Sequence, residues 1–379
     1  MSQKPKILIV SGTRPDTIKL APLILKLRKN RNFDTVFVAS GQHKELLKQA
    51  LDTFDLKPDI TLKLMKQNQT LVEIITALLN EADKLTAELK PDLMMVHGDT
   101  STAVAFAMAG FCNGVEVAHV EAGLRTYDLD NPFPEEGFRQ KIDTLSKHLF
   151  TPTQHTKNNL KNRHKDVYVT GNTVVDSIDL IKSQINVVAN TALAAKSFDK
   201  KTIFVTLHRR ENFGKAMQNI FEALKLIVDN IPNTQIIYPV HLNPNVKLPA
   251  EKYLAKIPNI HLIKPLIYRD TLGLLDKCDL VISDSGGIQE EAPAFGKKVL
   301  VTRKLTERQE GIHTGFLEIV GTDTQNIYET AKEHLEGNAQ KPVASNKNPF
   351  GDGNACNRIE SYLERHFGFV EELIPEFFG

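Results

Sequence analysis

Short apolar runs recur along the chain, each closed by a glycine or a polar cluster and followed by a stretch of helix length. In the first half the runs cover 6–10, 35–39, 93–97, 115–119, 148–151 and 167–169, and helical spacing fills 17–29, 43–53, 71–89 and 100–111. The second half repeats the alternation with runs at 202–206, 235–240, 261–263, 280–283, 298–301 and 317–320. Such a pattern predicts parallel strands joined by crossover helices, hence an α/β chain of two Rossmann-like domains. The stretch 172–200 is helical in pattern at first and then polar and alanine-rich, which predicts a domain boundary just before it. The first domain is therefore expected over 1–171 and the second over 172–361. A Pro/Asn/Gly-rich stretch, 346–354, precedes a last helical pattern at 355–366. That helix is expected to return toward the first domain, which then also takes 362–379.

A length of 379 residues suits two domains of common size, with the cleft between them as the natural place for a ligand. The 47 lysines and arginines nearly balance 46 aspartates and glutamates, and no long basic run occurs. Neither nucleic acid nor an anionic membrane surface is implied as a partner. Met1-Ser2-Gln3-Lys4-Pro5-Lys6 runs straight into a strand-like stretch without the pattern of a signal peptide, and no apolar run is long enough to span a bilayer. Cys112, Cys278 and Cys356 are too few and too scattered for a disulfide framework or a cysteine metal site, so a cytoplasmic location is expected.

The chemistry-bearing residues stand at strand ends, where open parallel sheets bind ligands. Ser11-Gly12-Thr13-Arg14-Pro15-Asp16-Thr17-Ile18-Lys19 is a glycine turn and helix start with two cations, able to hold a diphosphate or to serve as a plain capped turn. It matches neither the Walker spacing nor Gly-x-Gly-x-x-Gly, so an ATPase or NAD enzyme loses its usual support. His97-Gly98-Asp99-Thr100 and His119-Val120-Glu121-Ala122-Gly123-Leu124-Arg125 end two neighbouring strands, and Pro134-Glu135-Glu136 opens a helix with Arg139 one turn in. Singly, such carboxylates are commonly caps. Together Asp99, Glu121 and Glu135 would crowd one sheet edge, and mutual repulsion would raise at least one pKa toward neutrality, as an acid/base pair needs.

In the second half, Leu207-His208-Arg209-Arg210-Glu211-Asn212 ends a strand with a titratable ring beside two guanidiniums. Ser283-Asp284-Ser285-Gly286-Gly287 leads into a helix carrying Glu291, a turn suited to a phosphate with a glutamate placed for ribose hydroxyls. Thr306-Glu307-Arg308 adds another cation. His97, His119, His208 and His241 lack paired metal-ligand spacing, so no metal is predicted from them. His97 and His119 read as polar scaffolding, and His208 as a ligand contact.

Taken in order, these motifs, with Ile288-Gln289-Glu290-Glu291-Ala292-Pro293 and Asn348-Pro349-Phe350-Gly351-Asp352-Gly353, closely resemble the non-hydrolysing UDP-N-acetylglucosamine 2-epimerases from about 6 to about 360. The resemblance implies a glycosyltransferase-B-like pair of domains facing across a cleft, a homodimer, and UDP held mainly by the second domain. It implies isomerisation of a UDP-N-acetyl sugar without cofactor, for bacterial-type surface glycans. By matching position, Asp99, Glu121 and Glu135 would be the acid/base carboxylates. Arg14, Lys19, Arg139, Ser285, Gly286, Gly287, Glu291 and Arg308 would bind UDP or the sugar. His208 would join the catalytic set by facing the diphosphate. Gln42, His43, Gln69 and His241 match a region where relatives bind a second substrate molecule. Departures from the family pattern include Asp16 for the usual glutamate, Gln309 for proline, and Thr271 where an aromatic is common beside uracil. A hydrolysing epimerase, an epimerase of a modified UDP-N-acetyl sugar, a glycosyltransferase and a silent UDP-sugar sensor are the alternatives.

Overall fold

The structure, a computed structural model, describes residues 4–41, 44–64, 66, 69–160, 166–185, 198–337 and 348–378. It forms two compact units, Met1–Leu180 with Phe350–Gly379, and Ile181–Pro349. The chain thus changes unit at 181 rather than at 172, and comes back at 350 rather than 362. Hydrogen bonds explain both shifts. The Ser177 hydroxyl donates to the Ile18 carbonyl at 2.7 Å, the Asn172 amide donates to the Phe350 carbonyl at 2.7 Å, and Asp176 accepts from the Ala355 and Cys356 amides.

In the first unit the chain runs β1 (Lys6–Ser11), α1 (Arg14–Lys29), β2 (Asp34–Ala39), α2 (Lys44–Thr53), β3 (Ile60–Thr61), α3 (Leu71–Leu89), β4 (Leu93–His97) and α4 (Ser101–Cys112). It continues through β5 (Glu116–Val120), α5 (Glu135–Leu145), β6 (His148–Thr151), α6 (Gln154–Asn158), β7 (Asp166–Val169) and α7 (Thr173–Ile181). The seven strands are all parallel, in the order β3-β2-β1-β4-β5-β6-β7. Strands β1, β4 and β5 are buried almost throughout because helices cover both sheet faces, which is why they read as continuous apolar runs. The edge strand β3 has only two residues and carries no period that a sequence reading detects.

The second unit comprises β8 (Lys201–Thr206), α8 (Lys215–Asn230), β9 (Thr234–Pro239), α9 (Pro244–Leu254), β10 (Ile260–Ile263) and α10 (Tyr268–Lys277). Then come β11 (Leu280–Ser283), α11 (Gly286–Glu291), β12 (Val299–Val301), α12 (Gln309–His313), β13 (Leu317–Ile319) and α13 (Thr324–Leu335). Its six parallel strands are ordered β10-β9-β8-β11-β12-β13 over a core that includes Ile203, Phe221, Ile236 and Leu300. The last helix, α14 (Ala355–His366), packs against α1 of the first unit, with Asn30 donating to Glu360 and Glu364 at 2.9 Å. In each sheet the strand order reverses once, between β1 and β4 and between β8 and β11, and the carboxyl ends at such a switch point leave a crevice for ligands. Cys112 is exposed, Cys278 and Cys356 are buried, and all three are free thiols. Among the described residues no helix is long and apolar enough to cross a membrane.

Candidate active site

At the first switch point the turns after β1 and β4 are built into each other. A Cβ on Gly12 would lie 2.2 Å from the Thr102 hydroxyl oxygen, so glycine is required where the β1 turn nests against α4. Asp16 accepts from the Gly12 and Thr13 amides at 3.3 Å and from the Thr100 hydroxyl at 3.2 Å, tying the two turns together. Burial raises the Asp16 pKa against the pull of nearby His97. Arg14, half-buried, opens α1.

The carboxylates expected from the sequence come to this edge, each in its own setting. Glu121, directly after β5, has φ of 71°, a left-handed backbone that a glutamate rarely adopts. Its Oε2 meets Lys19 Nζ at 2.5 Å and lies 3.1 Å from His97 Nε2, with all three side chains buried. Asp99 Oδ2 accepts from Arg139 Nε at 3.1 Å and Nη2 at 2.5 Å, and Arg139 Nη1 lies 3.4 Å from the buried Glu136. Glu135 opens α5 one turn before Arg139, and its Oε2 is buried with no hydrogen-bond partner among the described residues. Lys19 and Arg139, expected on the substrate, thus face Glu121 and Asp99. These cations offset the crowding of acids, and burial pushes up the carboxyl of Asp16, which the sequence reading had not selected.

Asp143 is a buried carboxylate at this edge that the sequence reading did not single out. Fully buried on α5, it lies 2.6 Å from His119 Nδ1 and accepts from Arg125 Nη2 at 2.5 Å and the Gly123 amide at 3.3 Å. His119 Nε2 in turn lies 2.7 Å from the Gly98 carbonyl oxygen, so Asp143 braces the turns that carry Asp99 and Glu121. Burial alone would push the Asp143 carboxyl up, and His119 and Arg125 together reverse this and hold it below its ordinary 3.8. A legible signal existed: Glu136, Arg139 and Asp143 recur at i, i+3 and i+7 on the buried face of α5. The Asp143→Asn variant is expected to lose about 3–5 kcal/mol at neutral pH, because Arg125 is left without its buried counter-charge. A depressed native pKa contributes stability that is complete above the unfolded value and is lost as pH falls through the native one. Urea unfolding should therefore show the gap to wild type closing in acid; a gap independent of pH would remove the ionised Asp143 from this account.

At the second switch point Asp284, fully buried after β11, accepts from the His208 amide at 3.0 Å, the Arg209 amide at 3.0 Å and Asn212 Nδ2 at 3.0 Å. His208 Nδ1 lies 3.3 Å from Asp284 Oδ1, and the ring stacks on His241 with centroids 5.7 Å apart. Burial lowers the His208 pKa despite Asp284, favouring the neutral ring at neutral pH. Ser285 precedes α11, and a Cβ on Gly286 would lie 2.9 Å from the Arg308 guanidinium, so a side chain there would push the guanidinium aside. Arg308 is oriented by Glu290, at 2.8 Å from Nε and 2.6 Å from Nη2, and by Glu307 at 2.8 Å from Nη1. Gly287 and Glu291 lie on the same short helix, with Glu291 buried. Asp284, Glu290 and Glu307 were quoted in sequence motifs without a role; their burial, invisible in sequence, gives them one.

Of the residues matched to a second-ligand region, Gln42 and His43 lie outside the described residues. Gln69 accepts from the Lys66 amide at 2.6 Å and donates to the Leu64 carbonyl at 3.3 Å, closing its own turn. His241 is exposed and its Nδ1 accepts from the Asn243 amide at 3.1 Å. The Thr271 hydroxyl donates back to the Ile267 carbonyl at 3.1 Å on α10.

Comparison with known proteins gives one consistent result. The family model described as UDP-N-acetylglucosamine 2-epimerase matches residues 25–364. A UDP-N-acetylglucosamine 2-epimerase of Bacillus subtilis is 41% identical over 381 residues, covering 100% of both chains. Among solved structures, the S. aureus MnaA–UDP co-structure has a TM-score of 0.92 at 39% identity, covering 98% of this chain and 100% of that one. The UDP-GlcNAc 2-epimerase from Neisseria meningitidis bound to UDP-GlcNAc has a TM-score of 0.89 at 39% identity, covering 95% and 100%.

Proposed function

Because the chain belongs to the UDP-N-acetylglucosamine 2-epimerase family, an isomerase family, we propose that it interconverts UDP-N-acetylglucosamine and UDP-N-acetylmannosamine by eliminating and re-adding UDP. The C2 hydrogen of the sugar is barely acidic without a neighbouring ketone, so a free carbanion is out of reach. When UDP leaves, the electron pair of the C2–H bond becomes the C1=C2 bond of 2-acetamidoglucal as the C1–O bond breaks. In the return step UDP adds back at C1 and a proton reaches C2 on the opposite face. No redox step or metal enters this sequence, and nucleotide and sugar stay joined in the product.

The reading assigns proton transfer to Asp99, Glu121 and Glu135. The observation that carries it is Glu135, a carboxylate with one buried, unpartnered oxygen at the edge where Asp99 and Glu121 are held by Arg139 and Lys19. Charge growing on the departing diphosphate would be met by His208, Arg308 and the Ser285–Gly287 turn, with Arg14 adding a cation and Glu291 binding the ribose. The relatives solved with UDP and with UDP-GlcNAc support the nucleotide part of this assignment. The product would feed surface-glycan precursors of bacterial type.

Turnover of UDP-N-acetylglucosamine in heavy water, without added cofactor, tests the route. Deuterium is expected at C2 of the UDP-N-acetylmannosamine, with some UDP and 2-acetamidoglucal released on long incubation. A product that keeps its C2 hydrogen would overturn the elimination, and free N-acetylmannosamine as the main sugar product would overturn the non-hydrolysing outcome.

A further inference from the structure

At the opposite edge of the first sheet, where β5 and β6 begin, Glu116 and His148 meet His366 at the end of α14. Glu116 Oε2 lies 3.0 Å from His148 Nε2 and 2.9 Å from His366 Nε2, and a ligand atom from each residue falls within 4.8 Å of the others. The two imidazoles stand edge to face with centroids 4.5 Å apart. Lys147 Nζ binds the other carboxylate oxygen, Oε1, so that Oε2 turns toward the rings. The His148 side chain is fully buried, whereas that of His366 is 24% exposed and leaves a path from solvent.

The far side of the His148 ring is held by polar partners: Nδ1 lies 2.9 Å from the Tyr362 hydroxyl and 3.7 Å from Asp166 Oδ2. In the tautomer that donates Nδ1–H to the Tyr362 oxygen, Nε2 presents its lone pair beside Glu116 Oε2, and a cation would join the two acceptors. Ligating histidines are set in the same way, by an outer partner that takes the proton of the second nitrogen.

We propose that Glu116, His148 and His366 bind a divalent transition-metal ion, with Zn2+ the best match to two imidazoles and one carboxylate. Glu116 Oε2 stands 2.9–3.0 Å from each imidazole nitrogen and all three ligand atoms lie within 4.8 Å of one another, so a modest adjustment fits them to a tetrahedron with bonds of about 2.0–2.1 Å, water taking the fourth position. The ion would tie α14 to β5 and β6. Glu116 stands about 16 Å from Glu121 along β5, taking five residues at about 3.3 Å each, so the ion is structural and the carboxylate chemistry proceeds apart from it. Spread over three elements, the ligands show no motif spacing in the sequence.

Calorimetric titration of untagged, chelator-stripped protein with Zn2+ tests this, with Co2+ as a second probe read by its visible absorption in a four-coordinate site. One equivalent per chain and a raised thermal midpoint are expected. The surface variant His366→Ala should weaken binding by more than the roughly 10–100-fold typical of losing an outer-shell partner, and Tyr362→Phe by about that amount. No saturable binding to the wild type, or Zn2+ bound equally well by His366→Ala, would overturn the proposal.

Discussion

Replacing Glu135 by glutamine is expected to slow epimerisation by roughly 10²–10⁴-fold, the usual loss when a general acid or base is removed. The substitution keeps the shape of the side chain at the start of α5 and removes its ability to trade protons. Since Glu135 Oε2 has no hydrogen-bond partner among the described residues, the amide breaks no hydrogen bond at that atom and stability should change little. Affinity for UDP should also stay within a few-fold, because the groups assigned to the diphosphate, which follow β1, β8, β11 and β12, are unchanged. Glu121→Gln is less clean, since it removes one charge of the buried Lys19–Glu121 pair. Quenched-flow or NMR rates with Glu135→Gln, beside calorimetric UDP binding, decide the matter. A rate within a few-fold of wild type would take Glu135 out of proton transfer.

The placement of candidate site residues at strand ends is legible in the sequence, for a physical reason. Parallel strands covered by helices need continuous apolar runs, and the polar residues that interrupt them mark the strand ends where ligands bind. Hence Gly12, Asp99, Glu121, His208 and Ser285 stand out in the sequence by position, and each lies one or two residues past the end of a strand. What stayed hidden was pairing. Lys19 reaches Glu121 across 102 positions, and Arg308 is clasped by Glu290 and Glu307. A sequence shows cations and acids near strand ends without showing which neutralise each other. The same gap hid Asp16, whose carboxyl is pushed up by burial in the β1 turn.

The pairing of Arg308 also changes what its removal should do. As a phosphate donor, its loss in Arg308→Ala should weaken UDP binding by about 1.5–3 kcal/mol, the range for a hydrogen bond to a charged group. As the partner of two carboxylates whose side chains are 2% exposed, its loss should also destabilise the fold. Glu307 keeps Arg303 at 3.1 Å, whereas Glu290 loses the guanidinium that meets it at 2.6 Å, and breaking one half of such a buried pair costs about 3–5 kcal/mol. The two effects separate in the double variant Arg308→Ala with Glu290→Gln. Neutralising Glu290 should restore most of the urea-unfolding stability, yet none of the affinity, because the diphosphate still lacks its guanidinium. If the double variant regained UDP binding, the single variant would have failed through misfolding alone and Arg308 would be structural. If instead Arg308→Ala unfolded like the wild type but bound UDP weakly, the clasp by Glu290 and Glu307 would serve only to aim the guanidinium.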